Sequence, residues 1–196
     1  MPTRLNPFIL ASASKCIGCR ACELACAAAH VDGGVSVGSL KGSLSPRLYL
    51  TCVEDIRVPV GCRHCEDAPC AAVCPNSAIY RSDNGVQVDE SRCVGCKTCL
   101  VSCPFGAMEM AQVLENGKSV MRRIVDPDFP EDVKIEPALL ASKCDLCKGR
   151  EAGPACVEAC PENALVLLQP VKIKKRRNVE AALALKGFGA RSGDEL

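Results

Sequence analysis

Short apolar runs broken by turn residues set the pattern of this chain, and no long amphipathic period runs through it. Phe8-Ile9-Leu10-Ala11 predicts a strand, residues 47–53 alternate as a half-buried strand does, and residues 107–113 and 163–168 predict two more. Asn84-Gly85, lying between Ile79-Tyr80 and Val86-Gln87-Val88, predicts a tight hairpin. Alanine-rich sequence without proline carries a helix to about His30. The tail predicts another over residues 179–186, with Asn178 as its cap and Gly187 as its stop. Polar stretches separate these elements: Asp32-Gly33-Gly34 and residues 35–46, then residues 114–142 with Asn116-Gly117, Asp126-Pro127 and Phe129-Pro130. They read as connectors. No apolar run approaches the ~18 residues of a membrane-spanning helix.

Composition changes this picture. At 196 residues the chain can form one or two small domains. Aromatic residues make up only 3%, Trp is absent, and much of the 48% hydrophobic fraction is Cys and Ala. A conventional core is therefore not expected, and metal would have to staple the fold. Of 17 cysteines, 16 fall into four runs: Cys16, Cys19, Cys22 and Cys26; Cys62, Cys65, Cys70 and Cys74; Cys93, Cys96, Cys99 and Cys103; Cys144, Cys147, Cys156 and Cys160. Proline follows the fourth cysteine in the last three runs (Pro75, Pro104, Pro161), whereas Ala27 takes that place in the first.

Soft thiolates suit either zinc or iron–sulfur centres. A zinc site needs only paired Cys-x-x-Cys units, which would leave the third and fourth cysteines of each run without a purpose. Three thiolates in a tight loop and a fourth one helical turn on match the bacterial-ferredoxin pattern, in which the fourth cysteine serves the partner cluster. A disulfide scaffold belongs to secreted chains, and residues 1–10 lack the apolar stretch of a signal peptide. The expectation is four 4Fe–4S clusters in a reducing cytoplasm.

The formal charge of +1 then misleads, because four oxidised clusters with their thiolates would take the protein to about −7. Nucleic acid is not an expected partner, since the basic stretch from Lys172 to Arg177 has no interleaved aromatics. That stretch is either solvated or docks a partner subunit. Cys52 stands outside every run and is expected as a small core residue. Arg20, His64, Lys97 and Lys148 lie inside the runs, each either facing solvent or lending charge to a neighbouring cluster. His64 is a candidate donor to a sulfur rather than a ligand, and His30 reads as a helix end. With no phosphate loop and no nucleophile–base pair, no catalytic residue is expected.

The runs, with Cys62-Arg-His-Cys65-Glu-Asp-Ala-Pro-Cys70, Cys96-Lys-Thr-Cys99 and Lys143-Cys-Asp-Leu-Cys147, resemble the four-cluster ferredoxin-type electron-transfer subunits of molybdenum or tungsten oxidoreductases. The likeness is greatest to the small cytoplasmic members linked to formate hydrogenlyase and hydrogen-dependent carbon dioxide reductase, and it spans about residues 8–170. It implies an α+β fold of two nested ferredoxin-like two-cluster modules with short strands, short helices and little core. Residues 1–30 with 137–171 would form the outer module, residues 58–113 the inner one, residues 31–57 and 114–136 connectors, and residues 172–196 a basic tail with a short helix. It further implies the ligand sets Cys16, Cys19, Cys22 and Cys160; Cys144, Cys147, Cys156 and Cys26; Cys62, Cys65, Cys70 and Cys103; and Cys93, Cys96, Cys99 and Cys74. The implied function is a non-catalytic wire, within a hetero-oligomer, between a formate dehydrogenase-type subunit and a hydrogenase or other iron–sulfur subunit. A free-standing polyferredoxin, or a wire that also drives filament assembly through its tail, remains the alternative.

Overall fold

The computed structural model describes residues 5–31, 45–115, 118–125, 128–129 and 131–189. The turns expected at Asp32–Gly34, Asn116-Gly117 and Asp126-Pro127, and residues 35–44 of the first connector, lie outside them. In chain order the elements are β1 (Phe8–Ala11), α1 (Ala21–Ala29), β2 (Leu48–Val53), β3 (Ile56–Gly61), α2 (Pro69–Ala72), β4 (Ile79–Ser82), β5 (Gly85–Val88), α3 (Thr98–Ser102) and β6 (Glu109–Gln112). There follow β7 (Leu114–Glu115), β8 (Lys118–Ser119), β9 (Met121–Val125), β10 (Val133–Pro137), β11 (Leu139–Ser142), α4 (Ala155–Glu158), β12 (Leu165–Leu168) and α5 (Pro170–Gly189). The fold is mixed α and β, as expected from the short apolar runs.

Every described sheet is a two-stranded antiparallel pair. Four are local hairpins; two are not. β1 pairs with β12, Phe8 opposite Leu168 and Ala11 opposite Leu165, so the two predicted strands from opposite ends of the chain meet. β6 pairs with β11, Glu109 opposite Ser142 and Gln112 opposite Leu139. Buried positions fall into two small clusters that share no residue. Ala68, Cys70, Ile79, Val86, Cys99 and Met108 belong to one, and Cys22, Cys26, Leu48, Cys156 and Leu165 to the other. Cysteine sulfur therefore occupies much of what aliphatic side chains fill in an ordinary core.

Several expectations need correction. The second connector contains two hairpins, β7–β8 and β9–β10, because its breaker residues punctuate strands instead of abolishing them. The first connector's strand is half of a hairpin that crosses the expected boundary at 57, with Leu48 opposite Gly61. Its Pro59 is tolerated because a two-stranded sheet has only edges. Cys52 lies exposed in β2, not in a core. The tail helix is longer than predicted: α5 absorbs the basic run, Asn178 is internal and Gly187 does not end it. Pro170 suits a first helical turn, and Lys, Arg, Ala and Leu are good helix formers whose sum outweighs one Asn.

Candidate metal centres

In all four runs the residue before the second cysteine has a left-handed backbone: Gly18 (φ 75°), His64 (φ 47°), Gly95 (φ 70°) and Leu146 (φ 62°). That conformation curls the loop so that its cysteines face inward. Glycine adopts it freely, while His64 and Leu146 must be held there by their surroundings. At Gly95 space also matters, since a Cβ would lie 2.5 Å from the carbonyl oxygen of Leu139 and 2.8 Å from Arg122 Nη1. A left-handed residue, Arg20, Ala68 or Lys97, then launches the short helix that carries the third cysteine in the first three runs.

Backbone N–H groups aim at the sulfurs. Ala78 N donates to Cys74 Sγ at 3.3 Å, Ala107 N to Cys103 Sγ at 3.3 Å and Ala164 N to Cys160 Sγ at 3.2 Å. Each donor lies four residues beyond a fourth cysteine, because the proline turns the chain back over the sulfur. The repeated Cys-Pro-x-x-Ala was a readable signal that the sequence analysis passed over. The first run, lacking proline, takes its donor from the residue before β2, Arg47 N to Cys26 Sγ at 3.3 Å. His64 N donates to Cys62 Sγ (3.3 Å) and Ala141 N to Cys93 Sγ (3.4 Å). Donors of this kind favour thiolate and tune any bound metal.

Cysteines from separate runs come together. A cavity of ≈ 350 Å³ is lined by Cys93, Cys96 and Cys99 with Cys74, and one of ≈ 340 Å³ by Cys16, Cys19 and Cys22 with Cys160. Burial pushes the Cys70 thiol up to about 11, and the neighbouring Cys62 and Cys103 sulfurs add to it. Desolvation pushes Cys156 up to about 12, with Cys144, Cys26 and Cys147 close enough to contribute. Cys144 is desolvated to about 12 as well, and both Cys62 and Cys26 act on it. All 17 cysteines are free, and Cys52 lines neither cavity. Soft, convergent thiols with N–H groups trained on them fit iron–sulfur clusters.

Charged side chains near the sulfurs divide into two kinds. Arg20 is 64% exposed on a 3.5 Å pair with Glu23, and Lys97 and Lys148 are exposed, so these three face solvent. His30, Asp145 and Arg47 instead form a compact network. Asp145 Oδ1 meets His30 Nε2 at 2.9 Å and accepts from Cys147 N at 2.9 Å, while its Oδ2 meets Arg47 Nη1 at 2.9 Å. His30 Nδ1 reaches the Cys26 carbonyl at 2.7 Å. Burial opposes charge on both partners, but Asp145 and Cys26 raise His30 to about 10, and His30 with Arg47 holds Asp145 well below the usual carboxylate range. His30 is thus a helix cap, as expected, and an ion-pair partner, which was not expected. His64 is buried at 1%; burial, then the charge of Lys143, depresses it to about 3. Arg122, on β9, reaches back to donate to the Val94 carbonyl at 3.0 Å.

The profile of the 4Fe–4S dicluster domain family matches residues 53–135. Electron transport protein HydN of Escherichia coli (strain K12) is 43% identical over 173 residues, which cover 87% of this chain and 93% of that protein. Formate hydrogenlyase subunit 2 of the same organism is 39% identical over 181 residues, covering 87% of this chain and 86% of that subunit. No described helix is long and apolar enough to cross a membrane.

Proposed function

We infer, from the premise that the chain belongs to the ferredoxin-type family of 4Fe–4S electron-transport proteins, that it carries four clusters and conducts electrons within an oxidoreductase complex. Each cluster, when bound, supplies a one-electron relay. The protein's part is to hold, space and insulate them. Cys16, Cys19, Cys22 and Cys160 would hold one; Cys144, Cys147, Cys156 and Cys26 its neighbour; Cys62, Cys65, Cys70 and Cys103 a third; Cys93, Cys96, Cys99 and Cys74 the fourth. The observation that carries this reading is the three-plus-one lining of the two cavities, in which the odd cysteine comes from a different run.

The same pairing groups the first and fourth runs as an outer module, 1–30 with 137–171, around an inner one, 58–113. β1–β12 pairing and the packing of α1 on α4 support the former, and the packing of α2 on α3 the latter. β11 bridges the two, since its partner β6 lies in the inner module. Exposure suggests the order. Cys19 and Cys96 are exposed, one in each end cavity, whereas no cysteine of the other two sets is. The centre of Cys144 then faces that of Cys62 across the module boundary.

In a cytoplasmic setting, the partners of this reading are a molybdenum or tungsten formate dehydrogenase-type subunit at one end and a hydrogenase or other iron–sulfur subunit at the other. The relationship to a formate hydrogenlyase subunit favours that pairing. The chain itself would hold no catalytic residue. Anaerobic purification of the native assembly tests it: about four iron atoms for each of four centres, negligible zinc, and a large redox subunit retained through size exclusion are expected. Stoichiometric zinc with little iron would overturn the metal assignment, and a fully loaded chain running alone would favour a free carrier.

A further inference from the structure

Among the described residues Lys143 is the only lysine or arginine that is buried, at 3% exposure. Its ammonium donates to the Val86 carbonyl at 2.6 Å and the Cys144 carbonyl at 2.7 Å. Both acceptors are neutral, and no described carboxylate pairs with it. A lysine charge withdrawn from water in this way is costly unless opposite charge lies close by. The two acceptors identify where that charge would be. Val86 is on β5, in the buried cluster that contains Cys70, and Cys144 opens the fourth run. The ammonium therefore bridges the two groups of cysteines at the place where Cys62 and Cys144 come within electrostatic reach of each other.

The surroundings fix it there. His64 stacks into the same junction, its Nδ1 accepting from Val86 N at 3.1 Å, so the ring proton sits on Nε2. That Nε2 is buried without a hydrogen-bond partner among the described residues. Gly85 makes the approach possible, since a Cβ there would lie 2.6 Å from His64 Nδ1. Asn6 secures the loop from the other side, donating to the His64 carbonyl at 2.7 Å.

We propose that Lys143 is the shared counter-charge of the two inward centres, that of Cys62, Cys65, Cys70 and Cys103 and that of Cys26, Cys144, Cys147 and Cys156, and raises the reduction potential of both above what their cysteines alone would set. This rests on the four-cluster reading. Its consequence is a conduit whose middle holds an electron more firmly than its ends, with Lys143 acting as a positioning residue through charge and not as a ligand.

The test uses the full-length chain, purified anaerobically, with iron analysis and a redox titration followed by electron paramagnetic resonance. Lys143→Met removes the charge and keeps the stem; Lys143→Arg keeps the charge. In Lys143→Met two of four reduction steps should become about tenfold less favourable at a given potential, about 59 mV for a one-electron couple. The other two should stay, and Lys143→Arg should behave as wild type. Full iron with all four steps unmoved in Lys143→Met overturns the inference, as does an equal shift in Lys143→Arg. Should Lys143→Met fail to retain iron, Lys143→Gln, which keeps a donor, is titrated in its place. Iron lost from both neutral variants but kept in Lys143→Arg supports the charge requirement, and iron lost from all three marks a packing role and overturns it. Wild-type protein with far less than four iron atoms per centre would bring down the four-cluster reading itself.

Discussion

Asp145 ties three segments with one carboxylate: the end of α1 through His30, the approach to β2 through Arg47, and its own loop through Cys147 N. Removing one partner of such a half-buried network leaves the others charged and unpaired, and Asp145→Asn should cost ~2 kcal/mol, discounted from the full buried-pair cost for residual solvent access. The pH dependence follows from His30. Its native value, about 10, lies above the ordinary 6.5, so the pair's contribution is complete below pH 6.5 and is lost as pH rises through about 10. Thermal melts of wild type and Asp145→Asn should therefore differ most at or below pH 6.5 and draw closer as pH rises through about 10, leaving the Arg47 pair as the residual gap; a gap independent of pH would remove His30 from the account. At this scale the four cysteine runs were legible because their spacing is local. Asp145, Arg47 and Lys143 were not, since nothing in Lys143-Cys-Asp-Leu-Cys147 reports which side chains become buried or what faces them.

Among the elements, α5 stands apart. Its described side chains are almost all exposed, including Val171 (62%), Leu183 (64%) and Leu185 (71%), and Arg176–Glu180 is its one described ion pair. A 20-residue helix with so little tertiary support is not needed to hold the cysteines. Deleting residues 172–196 should leave the iron content unchanged while weakening retention of a partner subunit on size exclusion; undiminished assembly would make the tail ordinary solvated sequence. Elements whose signal is local were readable in the chain: β1, β12, the β4–β5 hairpin, whose turn falls at Asp83-Asn84, one residue before the expected Asn84-Gly85, and α1 to its His30 cap. The β9–β10 hairpin was hidden because Asp126-Pro127 and Pro130 looked like the breakers of a linker. The length of α5 was hidden because a dense basic run looks like solvated coil until its charges are spread around a helix.

For the whole molecule the governing fact is that the first strand meets the last. β1 on β12, and Cys160 beside Cys16, Cys19 and Cys22, close the chain from Phe8 to Leu168. Closing a long loop costs little more than closing a short one, and metal binding would offset the remaining cost because the site does not exist in the unfolded chain. Separate small sulfur-rich clusters, in place of one core, make sense if metal is the staple. That exchange of fourth ligands is the centre of this account, and it separates nested modules from four sequential sites. The direct measurement is electron paramagnetic resonance of reduced Cys160→Ser, set beside Cys19→Ser and Cys147→Ser. The account predicts that Cys160→Ser disturbs the signal that Cys19→Ser removes and spares the one that Cys147→Ser removes; disturbance of the Cys147→Ser signal alone would contradict it.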